Sequence, residues 1–159
     1  MKLKIREAVK SDYDDVSTLV KEVHRLHVEK RPDIYLDVDN PLLKERFDEL
    51  LNSGTSKVFV VENIENREII AYSIFQTLYS QNIHLIIPSK VLFIDDFCVK
   101  SSYRGNGIGK LLFNYIVDYA KSEGDYSIHL TVSEFNKNAI KFYEEMGMST
   151  RNRKMELIL

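Results

Sequence analysis

The chain has 159 residues, 44% of them hydrophobic, with 22 Lys plus Arg against 24 Asp plus Glu and a single cysteine. One domain over 1–159 is expected, since a chain of this length buries roughly 70% of its unfolded surface without a disulfide or structural metal. The net charge of −2 and pI near 6.1 exclude the one-signed field of a dedicated nucleic-acid binder, no run approaches the ~20 apolar residues that span a bilayer, and Cys98 alone excludes an internal disulfide or a Cys-based zinc module, so a cytoplasmic protein without nucleic-acid, membrane or metal partners is expected.

Leu3 and Ile5 alternate with Lys2, Lys4 and Arg6, the period of a half-buried strand. Ser11-Asp12 offers an N-cap, and Val16, Leu19, Val20, Val23 and His27 recur at helical spacing, which predicts a helix over 11–29. Pro32 and Pro41 bracket a loop, and Leu42, Leu43, Arg46, Phe47 and Leu50 predict a second helix ending near Gly54. Residues 57–61 and 69–78 are rich in β-branched and aromatic side chains and read as an antiparallel pair across a polar turn. The segment 79–89, with His84 and Pro88, reads as a connection near the same cleft. Residues 91–99 form a mostly apolar central strand interrupted by Asp95-Asp96. Ile108, Leu111, Leu112, Tyr115, Ile116, Tyr119 and Ala120 give the clearest helical period, closed by Gly124. A strand over 126–132, a helix over 136–146 closed by Gly147, and a final strand over 156–159 paired to 149–153 complete the reading.

Two motifs stand out. Arg104-Gly105-Asn106-Gly107-Ile108-Gly109-Lys110 lies between an apolar strand and an amphipathic helix. Glycines let the backbone approach a ligand, and the first N–H groups of a helix point at an anion with the positive end of the dipole, so the loop suits a pyrophosphate. Its spacing fits neither the dinucleotide fingerprint G-x-G-x-x-G nor a Walker loop; the plain alternative is a glycine-rich turn. The second motif, Asn136, Ala139, Phe142, Tyr143, Met146 and Gly147, puts residues 136, 139, 143 and 146 on one helix face, which taken alone is also an ordinary packing face.

Together these motifs make the whole chain resemble the GCN5-related N-acetyltransferases (GNAT), whose acetyl-CoA motif Q/R-x-x-G-x-G/A is matched by Arg104, Gly107 and Gly109. The stretch FIDDFCVKSSYRGNGIG particularly resembles the spermidine/spermine-type enzymes. The resemblance implies an α/β (α+β) fold: a mostly antiparallel twisted sheet of six to seven strands flanked by about four helices. It implies acetyl-CoA as co-substrate, no metal, and direct acetyl transfer to a primary amine of a small cationic, polyamine-like molecule. Aminoglycosides or a protein or peptide amine are the alternative acceptors, and a non-catalytic acyl-CoA-binding regulator is the alternative of another class. By the same resemblance, the backbone of Phe97, Cys98 and Val99 pairs with the pantetheine arm and Arg104, Gly105, Asn106, Gly107, Ile108, Gly109 and Lys110 cradle the pyrophosphate. Asn136, Ala139, Phe142 and Tyr143 line the rest of the cofactor groove, and Tyr143 is the general acid. Homodimers are common in the family.

An amine of pKa about 10.4 is neutral in only about one part in a thousand at physiological pH, so attack on a thioester needs a base. Asp95 and Asp96 are the adjacent carboxylates on a buried strand, two residues before the acyl-binding backbone. Strand neighbours face opposite ways, so at most one is expected to meet the amine; the resemblance favours Asp95 as the amine-side catalytic group, and a salt-bridged or turn-capping pair is the alternative. Tyr35, Asp95, Asp96 and Glu134 are the expected substrate-binding residues, with the aspartates of loop 31–39 adding negative charge for a cation. Cys98 reads as a small buried thiol rather than a nucleophile, and His24 and His27 as helix-packing or substrate-facing residues.

Overall fold

A strand that is apolar on both sides needs an apolar layer on each face of its sheet, and the computed structural model, which describes residues 1–80 and 84–159, supplies both. The elements run β1 (Leu3–Glu7), α1 (Tyr13–Lys30), α2 (Lys44–Leu51), β2 (Ser56–Asn63), β3 (Glu68–Tyr79), β4 (Lys90–Val99), α3 (Ile108–Ser122), β5 (Ser127–Leu130) and α4 (Lys137–Glu145). Sheet order is β1-β2-β3-β4-β5; the first four strands are antiparallel and β5 lies parallel to β4. One core joins Val16, Leu19, Phe47 and Leu50 of α1 and α2 to Val58, Val60, Tyr72, Ile74 and Cys98. The other joins Ile108, Leu112, Phe113 and Ile116 of α3 to Phe59, Val61, Phe75, Leu92 and Ile94, with Phe142 and Tyr143 of α4 at its margin.

The fold class matches the expectation, but the strand count does not: five strands are present among the described residues, not six to seven. Residues 149–153 and 156–159, expected to pair with each other, form no strand. Both stretches are exposed: 149–153 is polar throughout, and Leu157, Ile158 and Leu159 bury little surface against this chain among the described residues. Residues 81–83 of the connection expected over 79–89 lie outside the described residues. Asp12 stands at the N-cap position of α1 as expected, but at the end of a short 3₁₀ turn over Lys10–Asp12 and without a side-chain bond to the helix. The Asp12 carboxylate accepts from the Arg6 guanidinium at 2.7 and 2.9 Å and from the Val9 N–H at 2.8 Å instead of capping the helix.

Two features of β4 position the site. Pairing with β5 ends at Ile94–Leu130, while pairing with β3 continues to Val99, so the strands part at residue 95 and leave one edge of β4 open. At the same place β4 carries a bulge: Ile94 opposes Phe75 and Asp96 opposes Ile74, with Asp95 as the extra residue.

Candidate active site

The bulge overturns the expectation that Asp95 and Asp96 face opposite ways. The Gln76 side-chain amide donates to both oxygens of Asp95 at 2.9 and 3.0 Å, and the Tyr72 hydroxyl donates to Asp96 at 2.6 Å. Tyr72 and Gln76 share one face of β3, the face toward α1 and α2, so both carboxylates lean to that side. The other oxygen of Asp96 accepts from the Phe97 N–H at 2.9 Å. Burial raises the Asp96 carboxyl above the usual range, and the Tyr72 and Phe97 donors only partly offset it. Asp95 is exposed but also raised, by partial desolvation, against the opposing Gln76 bond.

Where β4 and β5 separate, a cleft of about 110 Å³ opens. It is walled by Val23 and His27 of α1, residues 94–97 of β4, Leu130 of β5, residues 131–133 after it, Asn136 at the N-cap of α4, and Ala139 and Tyr143 of α4. Thus Asp95, Asp96, Phe97, Asn136, Ala139 and Tyr143, all singled out by sequence, meet in one cavity. The Tyr143 ring packs against Phe97, Phe113 and Phe142, and its hydroxyl bonds no protein group among the described residues. Burial and the nearby negative charge of Asp96 push the phenol well above its ordinary value, so it stays protonated across the neutral range.

The open edge of β4 carries backbone groups for a ligand. Lys100 N–H donates to Ile70 O across to β3 at 2.8 Å, so by alternation the N–H and C=O of Phe97 and Val99 point to the open side. Two of these four are already held: Phe97 N–H by Asp96, and Val99 O by the Arg104 guanidinium at 2.9 Å. The Phe97 carbonyl and Val99 N–H remain. Cys98 faces the other way, buried beneath α1, its thiol pushed up to about 12 by burial, which suits a packing residue and not a nucleophile.

In the glycine loop, Gly105 and Gly107 have φ of 79° and 78°, a left-handed backbone that strains any other residue. Arg104 N–H donates to Ser101 O, and the next loop N–H with a backbone acceptor is Leu111, to Gly107 O at 3.0 Å. The main-chain N–H groups of residues 105–110 therefore lack backbone partners at the start of α3, which is the arrangement that receives phosphate oxygens. Gly109 differs from its neighbours. A Cβ there would lie 3.3 Å from the Phe142 ring and 3.6 Å from Val99 Cγ2, so this glycine lets α4 approach α3 rather than a ligand approach the backbone. The Arg104 side chain pairs with Glu22 of α1, and Asn106 donates to Tyr103 O at 3.1 Å and Arg104 O at 3.3 Å, fixing the loop from within.

Asn136 also has a double place. It lines the cleft while its side-chain oxygen accepts from the Ala139 N–H at 3.2 Å, capping α4. Phe142 lies behind the cleft wall against Gly109 and Phe97. Tyr35 does not line the cleft: its ring lies 4.9 Å from His27, which does. Glu134 is exposed and paired with Lys137 at 3.0 Å. The loop aspartates lie elsewhere: Asp33 is paired with Arg31, and Asp37 and Asp39 border a recess of about 350 Å³ beside Lys21 and Arg25. Sequence reasoning missed Tyr72, Gln76 and Glu22, whose roles come from strand register and helix packing; no local motif marks them.

A family model described as "Acetyltransferase (GNAT) family" matches residues 20–148. A glucosamine 6-phosphate N-acetyltransferase of Arabidopsis thaliana is 32% identical over 110 residues, covering 69% of this chain and 70% of the relative. A thialysine N-epsilon-acetyltransferase of Mus musculus is 25% identical over 153 residues, covering 91% and 82%. Shorter matches span 27% of an uncharacterized N-acetyltransferase of Methanocaldococcus jannaschii and 43% of a glucosamine 6-phosphate N-acetyltransferase of Trypanosoma brucei brucei. Among solved structures, a tetramutant of the BH1408 protein from Bacillus halodurans superposes with a TM-score of 0.95 at 35% identity over 98% of this chain and 99% of that one.

Proposed function

Because the chain belongs to the GNAT acetyltransferase family, we propose that it transfers the acetyl group of acetyl-CoA directly to a primary amine of a small cationic molecule, polyamine-like in character. The observation that carries this reading is the pair of carboxylates turned to one side of a bulged strand, in the same cleft as an unpartnered tyrosine hydroxyl. Acetyl-CoA, when bound, supplies an activated acyl thioester. The free N–H groups of residues 105–110 suit its pyrophosphate, and the Phe97 carbonyl and Val99 N–H suit its amide-bearing arm.

In this reading Asp95, at the exposed end of the pair, receives the incoming ammonium, and Asp96, deeper and of raised pKa, takes the proton directly or through water. Tyr143, protonated at neutral pH, hydrogen-bonds and protonates the departing sulfur. Asn136 and Ala139 border the groove, and Arg104 acts by holding the loop through Glu22 and Val99. A cationic acceptor is favoured over a sugar phosphate, named for the Arabidopsis relative, because among the described residues the cleft walls include no lysine or arginine to meet a phosphate, only His27. The acceptor named for the mouse relative, thialysine, carries a terminal amine and agrees better with the acidic pair.

The test is acetyl-CoA-dependent thiol release across polyamines, aminoglycosides, amino acids, hexosamine phosphates and basic peptides. Turnover with one class of cationic amine supports the reading. Turnover confined to hexosamine phosphates overturns the acceptor assignment, and acetyl-CoA binding without thiol release for any amine favours a non-catalytic regulator.

A further inference from the structure

We infer that His27 is the proton exit of the cleft: its Nε2 takes from Asp96, through water, the proton that the acceptor ammonium gives up, and passes it to solvent. This role rests on the acetyl-transfer reading and adds a residue to it. His27 Nδ1 lies 2.9 Å from the carbonyl oxygen of Val23, one turn earlier in α1. A carbonyl can only accept, so Nδ1 carries the hydrogen and the neutral ring has its lone pair on Nε2. Nε2 bonds no protein group among the described residues. His24, on the same helix, is used differently: its Nε2 donates to Leu36 O at 2.8 Å and ties loop 31–39 to α1, outside the cleft.

The His27 ring is also fixed in orientation. Tyr35, from loop 31–39, meets it at 4.9 Å and 64°, and Phe135, from the segment between β5 and α4, meets it at 5.4 Å and 77°. Two edge contacts from different segments and one hydrogen bond leave this half-buried side chain little freedom to turn. The other titratable groups around the ring are Asp95 and Asp96 of β4, Tyr143 of α4 and Tyr35 itself. Glu134, beside Phe135, is exposed and paired with Lys137, and the aspartates of loop 31–39 lie away from the cleft.

Asp96 needs such a partner. Both of its oxygens already accept a protein hydrogen bond, from the Tyr72 hydroxyl and the Phe97 N–H. Burial raises its carboxyl, and those two donors and then the positive charge of His27 oppose the rise, so His27 lies within electrostatic reach. Each turnover leaves Asp96 protonated while Asp95, nearer solvent, is held by Gln76 and covered by the acceptor. Tyr143 keeps its own proton, which leaves His27, of the residue type that exchanges protons near neutrality, to carry this one away. An ammonium N–H bond breaks as the Asp96 O–H bond forms. That O–H bond then breaks as Nε2–H forms, giving an imidazolium beside a restored carboxylate. Loss of the Nε2 proton to water returns both groups to their starting state.

The experiment measures thiol release by the full-length parent, His27→Phe and His27→Ala with a cationic amine that the parent acetylates, with and without added imidazole. Acetyl-CoA affinity is measured by calorimetry, and the tautomer of the His27 ring by its nitrogen NMR shifts. The expected result is a neutral ring protonated on Nδ1, unchanged acetyl-CoA affinity, and kcat lowered ~10²-fold in both variants. Imidazole should restore turnover to His27→Ala in proportion to its neutral form, a recovery that a merely structural role would not give. A neutral ring protonated on Nε2, a His27→Phe variant as fast as the parent, or a slow His27→Ala that imidazole leaves slow overturns the inference and leaves acetyl transfer standing. A parent that releases no thiol with any amine overturns the acetyl-transfer reading, and this role with it.

Discussion

Asp96 is held where stability and chemistry pull in opposite directions. Its folded pKa is raised, first by burial, above the unfolded value of about 3.9. The native state therefore binds more protons between those two values, and stability falls as pH rises through that window and stays lower above it. Asp96→Asn is expected to raise Tm at neutral pH, by about 2–4 °C for each kcal/mol gained in a chain of this size, while thiol release falls by ~10²-fold or more. A variant less stable than the parent at pH 7 would count against the buried-carboxylate account. Tyr72→Phe removes the 2.6 Å donor that holds the Asp96 pKa down, so the acid limb of the kcat/KM profile should move to higher pH. If the limb stays in place, Asp96 is not the base. Tyr143→Phe keeps the ring and its packing on Phe97 and Phe142, so acetyl-CoA affinity measured by calorimetry should persist while kcat drops ~10²-fold; equal loss of both would make Tyr143 a structural residue. Tyr143, Asn136 and the aspartate pair were legible because they sit in short motifs. Tyr72 and Gln76 were not, since in sequence they are unremarkable members of an apolar run and acquire a role only from the residue that register sets opposite them.

At the scale of elements, the order of strands and helices could be read from period and punctuation, and Gly124 and Gly147 close their helices as expected. What could not be read was one inserted residue. The bulge at Asp95 exists because β3 and β4 differ by one residue between two matched stretches, a property of the pair of strands and of neither alone. Parity arguments fail at such a point, and here they fail at Asp95 and Asp96. The glycine loop was legible as a loop, but its third glycine serves packing. Gly109→Ala gains roughly 1 kcal/mol of helix propensity and sets a methyl group 3.3 Å from the Phe142 ring. Because α4 also carries Tyr143, the expected outcome is a small change in Tm with a several-fold loss in kcat, recovered in part by adding Phe142→Leu. Unchanged turnover in the single variant would show that α4 accommodates the methyl group without moving its tyrosine.

Across the whole molecule, the two cores on either side of one sheet were foreseeable from the apolar pattern, whereas the end of the sheet was not: residues 149–159 pair with no strand among the described residues, and sequence shows propensity without showing what a strand would pair with. The first strand presents the complementary case, in which a charged residue fixes long-range order. Arg6 of β1 donates to Asp12, in the turn before α1, and its Nε donates to Glu62 of β2 at 2.8 Å. Burial alone would raise the Asp12 carboxyl, but the Arg6 bonds and the Val9 N–H outweigh it and hold the group below its ordinary value. A depressed folded pKa means that this contribution is complete above the unfolded value of about 3.9 and is lost as pH falls through the lower folded value. Asp12→Asn should therefore lower the free energy of unfolding at pH 7 by on the order of 2 kcal/mol, less than the 3–5 of a fully buried pair because Arg6 is partly exposed. The deficit relative to the parent should shrink as pH drops below about 3.9. Denaturant titrations of both proteins across that range measure it directly, and a deficit that stays constant with pH would assign the loss to packing around residue 12 instead of to its charge.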